Sequence, residues 1–418
     1  MLKQLLRTVP LIALLAAICT ALPAAQAAPG DLDLSFAGFN QSGKITAIPL
    51  LGSSMALAPD GKIVLVGRTG NSMTVRRYMP NGNPDPAFHT VGSITISPPA
   101  GMQAIIPEAV AVQANGDIVV AGRNRTDDYD GANDFLLLRV KNNGEFDTLF
   151  GDQGFALTNF LNSRDLAQSV LIQPDGKIVV GYANDVFSHD DDFAVARYTS
   201  DGKPDPTFDN DGKRTFALGD NDRAYDVALY AGKLVVVGVR AREYPYSDDF
   251  ALIRLNSNGS LDDDDSDGGF GGDGIVITHF GDNEEARAVA IQDNGYIVVL
   301  GRESIRQKRS FLARYKPNGE LDRSLDGDGK LTIPVDLLLD LAIQPDGKMV
   351  LLGTHTSPDD DTKFALHRLL PNGAHDPTFG IGGVFFTIWA TMTGATIWPC
   401  CPMAASWPAA KTATQPVR

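Results

Sequence analysis

The chain has 418 residues, 43% of them hydrophobic, 51 acidic against 36 basic side chains, and a net charge of −15. Such a balance repels nucleic acid and anionic lipid and favours cations and basic partners. Of three cysteines only Cys400 and Cys401 lie outside the first 27 residues, so the repeated body described below must be stable without disulfides.

The N-terminus reads as an export signal. Lys3 and Arg7 form a positive n-region, Leu11 to Leu22 an apolar h-region, and Ala25-Gln26-Ala27 a small-x-small cleavage site. The apolar run is short for a membrane span, and no other segment reads as transmembrane. Cys19 invites a lipoprotein reading, but Ile18 stands where a small residue is expected. Secretion or periplasmic export is the expectation, with residues 1–27 removed, which takes the charge from −15 to −17 by loss of Lys3 and Arg7.

From there a segment of about 60 residues is repeated six times, a period that marks an array of supersecondary units. Its clearest register is an arginine followed four residues later by Asn-Gly or Asp-Gly, and after eight by aspartate. The pairs are Arg77/Asp85, Arg139/Asp147, Arg197/Asp205, Arg254/Asp262, Arg314/Asp322 and Arg368/Asp376.

Within residues 155–212, a short β-prone run at Phe155–Phe160 is read as the first strand. Two apolar runs split by Asp175-Gly176 follow as a hairpin, and Phe193–Tyr198 is the fourth strand. The hairpin recurs at Asp60-Gly61, Asn115-Gly116, Asn294-Gly295 and Asp346-Gly347, and in weaker form at Ala231-Gly232. Four short strands per unit and no helical period predict an all-β fold: a β-propeller of six four-stranded blades, possible truncation from seven being left open. A β-solenoid is the alternative, though its rungs are usually shorter.

An Asp-x-x-Phe motif with following glycines recurs at Asp33/Phe36, Asp85/Phe88, Asp147/Phe150, Asp205/Phe208 and Asp376/Phe379, with Leu325 in one copy. It is read as the crossing from one blade's outer strand to the next blade's inner strand. Together, Asp205-Pro-Thr-Phe208, Gln173-Pro-Asp-Gly-Lys177, Asp192-Phe-Ala-Val-Ala-Arg197-Tyr198 and Asp201-Gly202 resemble the delta-60 repeat of bacterial secreted proteins. The resemblance runs from Asp31 to Thr387. It implies a β-propeller-like fold and no catalytic residues.

Linker motifs number seven against six complete repeats. The last, His375 to Thr387, either completes the first blade or begins a seventh that an out-of-frame ending cuts off. Residues 28–388 are therefore taken as the propeller and 389–418 as an irregular, disordered tail.

Each Arg-x7-Asp pair is expected to be structural, the arginine packing between blades and bonding the aspartate beyond its own turn, rather than forming an anion-binding ring. Asp263, Asp265 and Asp267 with Gly268 have the alternate-carboxylate spacing of a Ca²⁺ loop, although Gly274 stands where the usual glutamate would be. An inserted, solvated acidic loop is the competing reading.

Further acids (Asp127, Asp128, Asp130, Asp134; Asp190–Asp192; Asp248–Asp249; Asp359–Asp361) fall in what is read as the loop between the third and fourth strands. Asp220, Asp222, Glu284 and Glu285 fall in the connection on the same face. One propeller face ringed with carboxylates is expected, serving solubility or a cation or basic partner.

The six histidines (His89, His189, His279, His355, His367, His375) show no metal-ligand spacing, and no nucleophile elbow, Walker loop or dinucleotide fingerprint occurs. The expected role is a monomeric, non-catalytic binding or scaffold module for a protein, glycan or cation. The alternative is a lactonase-like hydrolase assisted by Ca²⁺ in the central channel.

Overall fold

The computed structural model describes residues 50–125, 134–160, 165–184, 192–242, 247–263, 269–281, 283–304, 309–334, 337–356 and 362–387. Residues 1–27, expected to be an export signal, most of the acidic loops and the tail after residue 387 lie outside these.

Twenty-four strands form six antiparallel meanders of four. Blade 1 holds β1 (Leu51–Leu57), β2 (Ile63–Thr69), β3 (Ser72–Tyr78) and β4 (Ser93–Ile96). Blade 2 holds β5 (Ala104–Val112), β6 (Ile118–Arg125), β7 (Phe135–Val140) and β8 (Phe155–Thr158). Blade 3 holds β9 (Asp165–Ile172), β10 (Ile178–Asn184), β11 (Phe193–Tyr198) and β12 (Lys213–Phe216). Blade 4 holds β13 (Arg223–Tyr230), β14 (Lys233–Arg240), β15 (Asp249–Leu255) and β16 (Ile275–Thr278). Blade 5 holds β17 (Glu284–Ile291), β18 (Ile297–Glu303), β19 (Ser310–Tyr315) and β20 (Lys330–Ile333). Blade 6 holds β21 (Leu338–Ile343), β22 (Met349–Thr356), β23 (Thr362–Leu369) and β24 (Val384–Thr387). The fold is a six-bladed β-propeller.

Both faces of the central strands of blades 2 to 5 are largely buried, because each of these blades is sandwiched between two others. Successive residues point to opposite faces, so Val179 and Val195 join the core between blades 3 and 4. Val180, Ala194 and Ala196 join that between blades 2 and 3. The same division gives continuous apolar layers between blades 1 and 2, 4 and 5, and 5 and 6.

The blades do not begin where the repeat was divided. Phe155–Thr158 hydrogen-bonds to β7, so it is the outer strand of blade 2 and not the first strand of blade 3. The glycine-rich Asp-x-x-Phe linker therefore lies between the third and fourth strands of one blade and is no crossing between blades. The acidic segments lie between second and third strands, and the crossing to the next blade is the short stretch after the fourth. The last strand, β24, pairs with β23 and completes blade 6 rather than blade 1.

The Asp-Gly hairpins are also looser than a two-residue turn. Leu57 pairs with Ile63 and the Ala58 N–H donates to the Lys62 carbonyl at 2.8 Å, leaving three residues between them. The tight turn is at Ala231-Gly232, where Tyr230 pairs with Lys233 and both central residues have positive φ.

An up-and-down meander separates two ends of the ring. One end carries the first hairpins and the Asp-x-x-Phe linkers. The other carries the second-to-third loops and the blade crossings.

Candidate functional site

At the linker end, all six arginine–aspartate pairs meet. Arginine Nε donates to aspartate Oδ2 at 2.8 Å in Arg77–Asp85 and Arg139–Asp147, and at 2.7 Å in Arg197–Asp205 and Arg314–Asp322. The Arg368–Asp376 bond is 2.9 Å, and Arg254–Asp262 makes the same contact. The linker phenylalanine lies beneath the guanidinium, as Phe88 does under Arg77 at 4.5 Å and Phe208 under Arg197 at 4.8 Å. Lysines of the first hairpin add second ion pairs, Lys177–Asp205 at 3.2 Å and Lys348–Asp376 at 3.4 Å.

The guanidinium also reaches into the next blade. Arg77 Nη1 donates to Asn142 Oδ1 at 2.6 Å, Arg139 to the Ser200 carbonyl at 2.6 Å and Arg314 to the Pro371 carbonyl at 2.5 Å. Arg197 and Arg254 do the same to Ser257 and Pro317. Backbone bonds run beside them, for example Gly151 N–H to Asp201 O at 2.8 Å. Among the described residues Arg368 has no such bond into blade 1. At five junctions, then, these charges are consumed by the ring itself.

Asp263 is exposed and begins an insertion that separates Asp262 from its linker phenylalanine, Phe270. Asp265 and Asp267 lie outside the described residues. The insertion belongs to the linker end, opposite the other acidic loops.

At the crossing end, three successive junctions place side chains at the same three positions: the entry of a third strand, the residue after a fourth strand, and the entry of the next inner strand. Between blades 2 and 3 these are Asp134, Asn159 and Asp165. Between blades 3 and 4 they are Asp192, Ala217 and Asp222, and between blades 4 and 5 Asp249, His279 and Glu284.

The first two junctions use the inner-strand carboxylate as a backbone cap. Asp165 Oδ2 accepts the Phe160 N–H at 2.8 Å. Asp222 accepts those of Leu218 at 2.5 Å, Gly219 at 2.6 Å and Ala241 at 3.2 Å. Burial nevertheless pushes Asp222 up to about 6; the three backbone donors oppose this and the charge of Asp192 adds to it.

At the third junction the carboxylate is one methylene longer. Glu284 Oε2 lies 3.6 Å from His279 Nδ1, which is 2.9 Å from Asp249 Oδ1. Ligand atoms of the three side chains all lie within 4.8 Å of one another, and this is the one such trio of acid or imidazole groups among the described residues. Both carboxylates are buried, whereas the His279 side chain is 53% exposed. Asp249 Oδ2 accepts from Arg240 at 2.6 Å and Arg242 at 2.9 Å. Burial raises its pKa, but the two guanidinium groups outweigh that and hold it below the usual carboxylate range.

The two blades are tied around this trio. The Glu284 N–H donates to the Asp248 carbonyl at 3.1 Å, and the Asp248 N–H to Asn283 Oδ1 at 3.1 Å. Ser304 Oγ donates to Asp248 Oδ2 at 3.2 Å. Nearby, Glu285 bonds Arg287 and Arg302, both at 2.5 Å, so its charge is neutralised within the fold. Sequence reading singled out Asp249 and Glu284 but not His279. Its register one residue past the outer strand, shared with Asn159, was the signal.

Near the axis, Asp226 and Asp340 occupy equivalent places just after a bulge in the inner strands of blades 4 and 6. Asp226 accepts from Ser169 Oγ at 2.6 Å and from the N–H groups of Val227 at 2.8 Å and Val289 at 2.9 Å, linking blades 3, 4 and 5. Asp340 Oδ1 accepts the Leu341 N–H at 2.7 Å, while its buried Oδ2 has no partner. Burial, and then the charge of Asp226, raise the pKa of Asp340 well above the ordinary value.

Five segments, residues 58–88, 113–150, 173–208, 232–264 and 344–379, match a family model described as "Domain of unknown function (DUF5122) beta-propeller". Each spans the second and third strands and runs to, or into, the Asp-x-x-Phe linker. The chain is built of β-propeller repeats. No curated protein matches it.

Similar solved structures include a protein of unknown function from Dyadobacter fermentans, 14% identical, TM-score 0.42, covering 68% of this chain and 82% of that one. Drosophila Plexin A in complex with Semaphorin 1b is 12% identical, TM-score 0.39, over 72% of this chain and 71% of that one. A glucose dehydrogenase is 12% identical, TM-score 0.41, over 71% and 91%. An enzyme and a non-enzyme stand side by side here, and activity does not follow from either.

Proposed function

We propose that the chain is an exported, non-catalytic binding or scaffold module that presents its crossing end to a basic protein partner. What supports the reading is one observation: carboxylates from three consecutive junctions, Asp134/Asp165, Asp192/Asp222 and Asp249/Glu284, gather at that end. All six linker aspartates are bonded to arginines of their own blades; at the crossing end Asp249 is likewise held by Arg240 and Arg242, while Asp134 and Asp222 accept from amide groups instead. Loop acids beside the crossings, such as exposed Asp220, add charge that a cationic surface would meet in solution.

The test is binding of a lysine-rich peptide to wild type and to the D190N/D191N/D192N/D220N variant, across a salt series. Wild type should bind, more weakly as salt rises, and the variant should lose most of the affinity. Equal binding by both proteins, or none by either, sinks the reading and sends the search to glycans.

The axial pair Asp226/Asp340 favours a second reading, a hydrolase working in the central channel with a cation. Two carboxylates without an imidazole are a thin acid–base set, so the binding role is preferred. Turnover of simple lactones that is lost in D340N would reverse that preference.

A further inference from the structure

The trio at the blade 4–blade 5 junction combines two buried carboxylates with one solvent-facing imidazole. We infer that Asp249, His279 and Glu284 form a binding site for a single divalent transition-type cation, Zn²⁺ or Mn²⁺. The inference concerns the same end of the ring as the proposed function but does not depend on a basic partner.

The chemistry of the donors selects the ion. Carboxylates alone suit Ca²⁺ and Mg²⁺, whereas an imidazole in the set shifts preference toward borderline cations. Size agrees as well. Bonds of about 2.0–2.2 Å to nitrogen and oxygen place neighbouring ligand atoms roughly 3.0–3.5 Å apart. The observed separations from Nδ1 are 2.9 Å and 3.6 Å, close to that range, and all three ligand atoms lie within 4.8 Å of one another, so the carboxylates need only draw together around the ion.

Pre-organisation is the second argument. Arg240 and Arg242 hold Asp249 through Oδ2 alone, which fixes the carboxylate and turns Oδ1 toward His279. Outer groups that bond a ligating carboxylate orient it in this manner. The backbone bond from Glu284 to Asp248 fixes the spacing between blades. Because His279 is half exposed, remaining coordination positions face water, leaving room for a solvent molecule or a ligand's donor atom.

The neighbouring junctions supply the contrast. Where position two is Asn159 or Ala217 there is no imidazole, and the inner-strand aspartate is occupied by backbone N–H groups. Only the junction with histidine also has the longer glutamate, whose Oε2 lies 3.6 Å from the imidazole Nδ1.

The experiment is calorimetric titration of Zn²⁺ alone into the EDTA-treated full chain, with Cys400 and Cys401 replaced by serine to remove their thiolates. H279N, which installs the residue of the blade 2 junction, is titrated beside it. One equivalent of Zn²⁺ should bind, with at least a tenfold loss of affinity in H279N and an unchanged melting temperature in EDTA. A Co²⁺ spectrum with nitrogen–oxygen character, absent in H279N, would agree. No binding up to millimolar Zn²⁺, or binding that survives H279N, overturns the site; survival would place the ion at a loop such as that after Asp263. Peptide binding can fail while this titration succeeds, and the reverse, so the two proposals fall separately.

Discussion

Gly202 of blade 3 stands against the ring of Phe150 in blade 2 so closely that a β-carbon there would meet Cζ at 2.6 Å. Its φ of +83° lies in the region that side chains disfavour. A methyl group therefore meets strain and collision together at a junction between blades. Gly202→Ala should lower stability by about 2–4 kcal/mol, read as a shift in urea midpoint. A midpoint equal to wild type would mean that the junction has slack.

Arg197 and Asp205 are 3% and 2% exposed and bond each other within blade 3, and Arg197 also bridges to blade 4. Removing one partner leaves the other charge buried. Arg197→Ala or Asp205→Ala should each cost about 3–5 kcal/mol, and the double variant should cost less than the sum. Additive losses in a double-mutant cycle would contradict direct coupling.

Acid should attack this end of the ring late. Burial raises the pKa of Asp205, but bonds from Thr207, then Lys177 and Arg197, outweigh it and bring the group to about 2. Asp376 is likewise near 2, with Thr378, Arg368 and Lys348 outweighing its burial. Both values lie below the unfolded 3.8, so their stabilisation is complete above that pH and is lost as pH falls toward 2. Melting temperature should drop steeply between about pH 4 and 2, and Asp205→Asn should flatten part of that drop.

Asp340 carries the opposite sign. Its pKa is raised, so the stability contributed by its proton is present below 3.8 and lost as pH rises. Asp340→Asn should raise the melting temperature at neutral pH, and the gain should shrink below about pH 4. A variant less stable at pH 7 would show that Oδ2 has a function in the folded ring, such as holding a cation.

Much of the architecture could be read from residues alone. Four strands per repeat, six repeats and the arginine–aspartate register all have local signals, namely alternation, turn residues and fixed spacing. The position of Phe155–Thr158 did not. A four-residue run carries no mark of which neighbour it will hydrogen-bond, and in a cyclic repeat the dividing line can be drawn anywhere. Linker and acidic loops were displaced by one strand for the same reason, yet the end shared by the acidic loops and the acidic connections beside them was foreseen, because loops two strands apart emerge together in a meander.

The trio at the blade 4–blade 5 junction was only two-thirds legible. Asp249 and Glu284 announced themselves as charge, but His279 is 30 residues from Asp249 and has no spacing partner in sequence. Its meaning comes from the pairing of Phe250 with Thr278, which sets the next residue beside Asp249. The loosened hairpins were missed because Asp-Gly is compatible with several turn lengths, and the Ala58–Lys62 bond decides between them.

Five of the six guanidinium groups reach forward, from one blade into the turn of the one that follows. The six units are thus not interchangeable neighbours but a procession in which each of the first five is steadied by its successor. Damage should accordingly travel toward the N-terminus. Loosening the turn at Pro371 deprives Arg314 of its acceptor, while loosening blade 1 leaves no described arginine stranded. The integrity of the last blade would then matter more than that of the first.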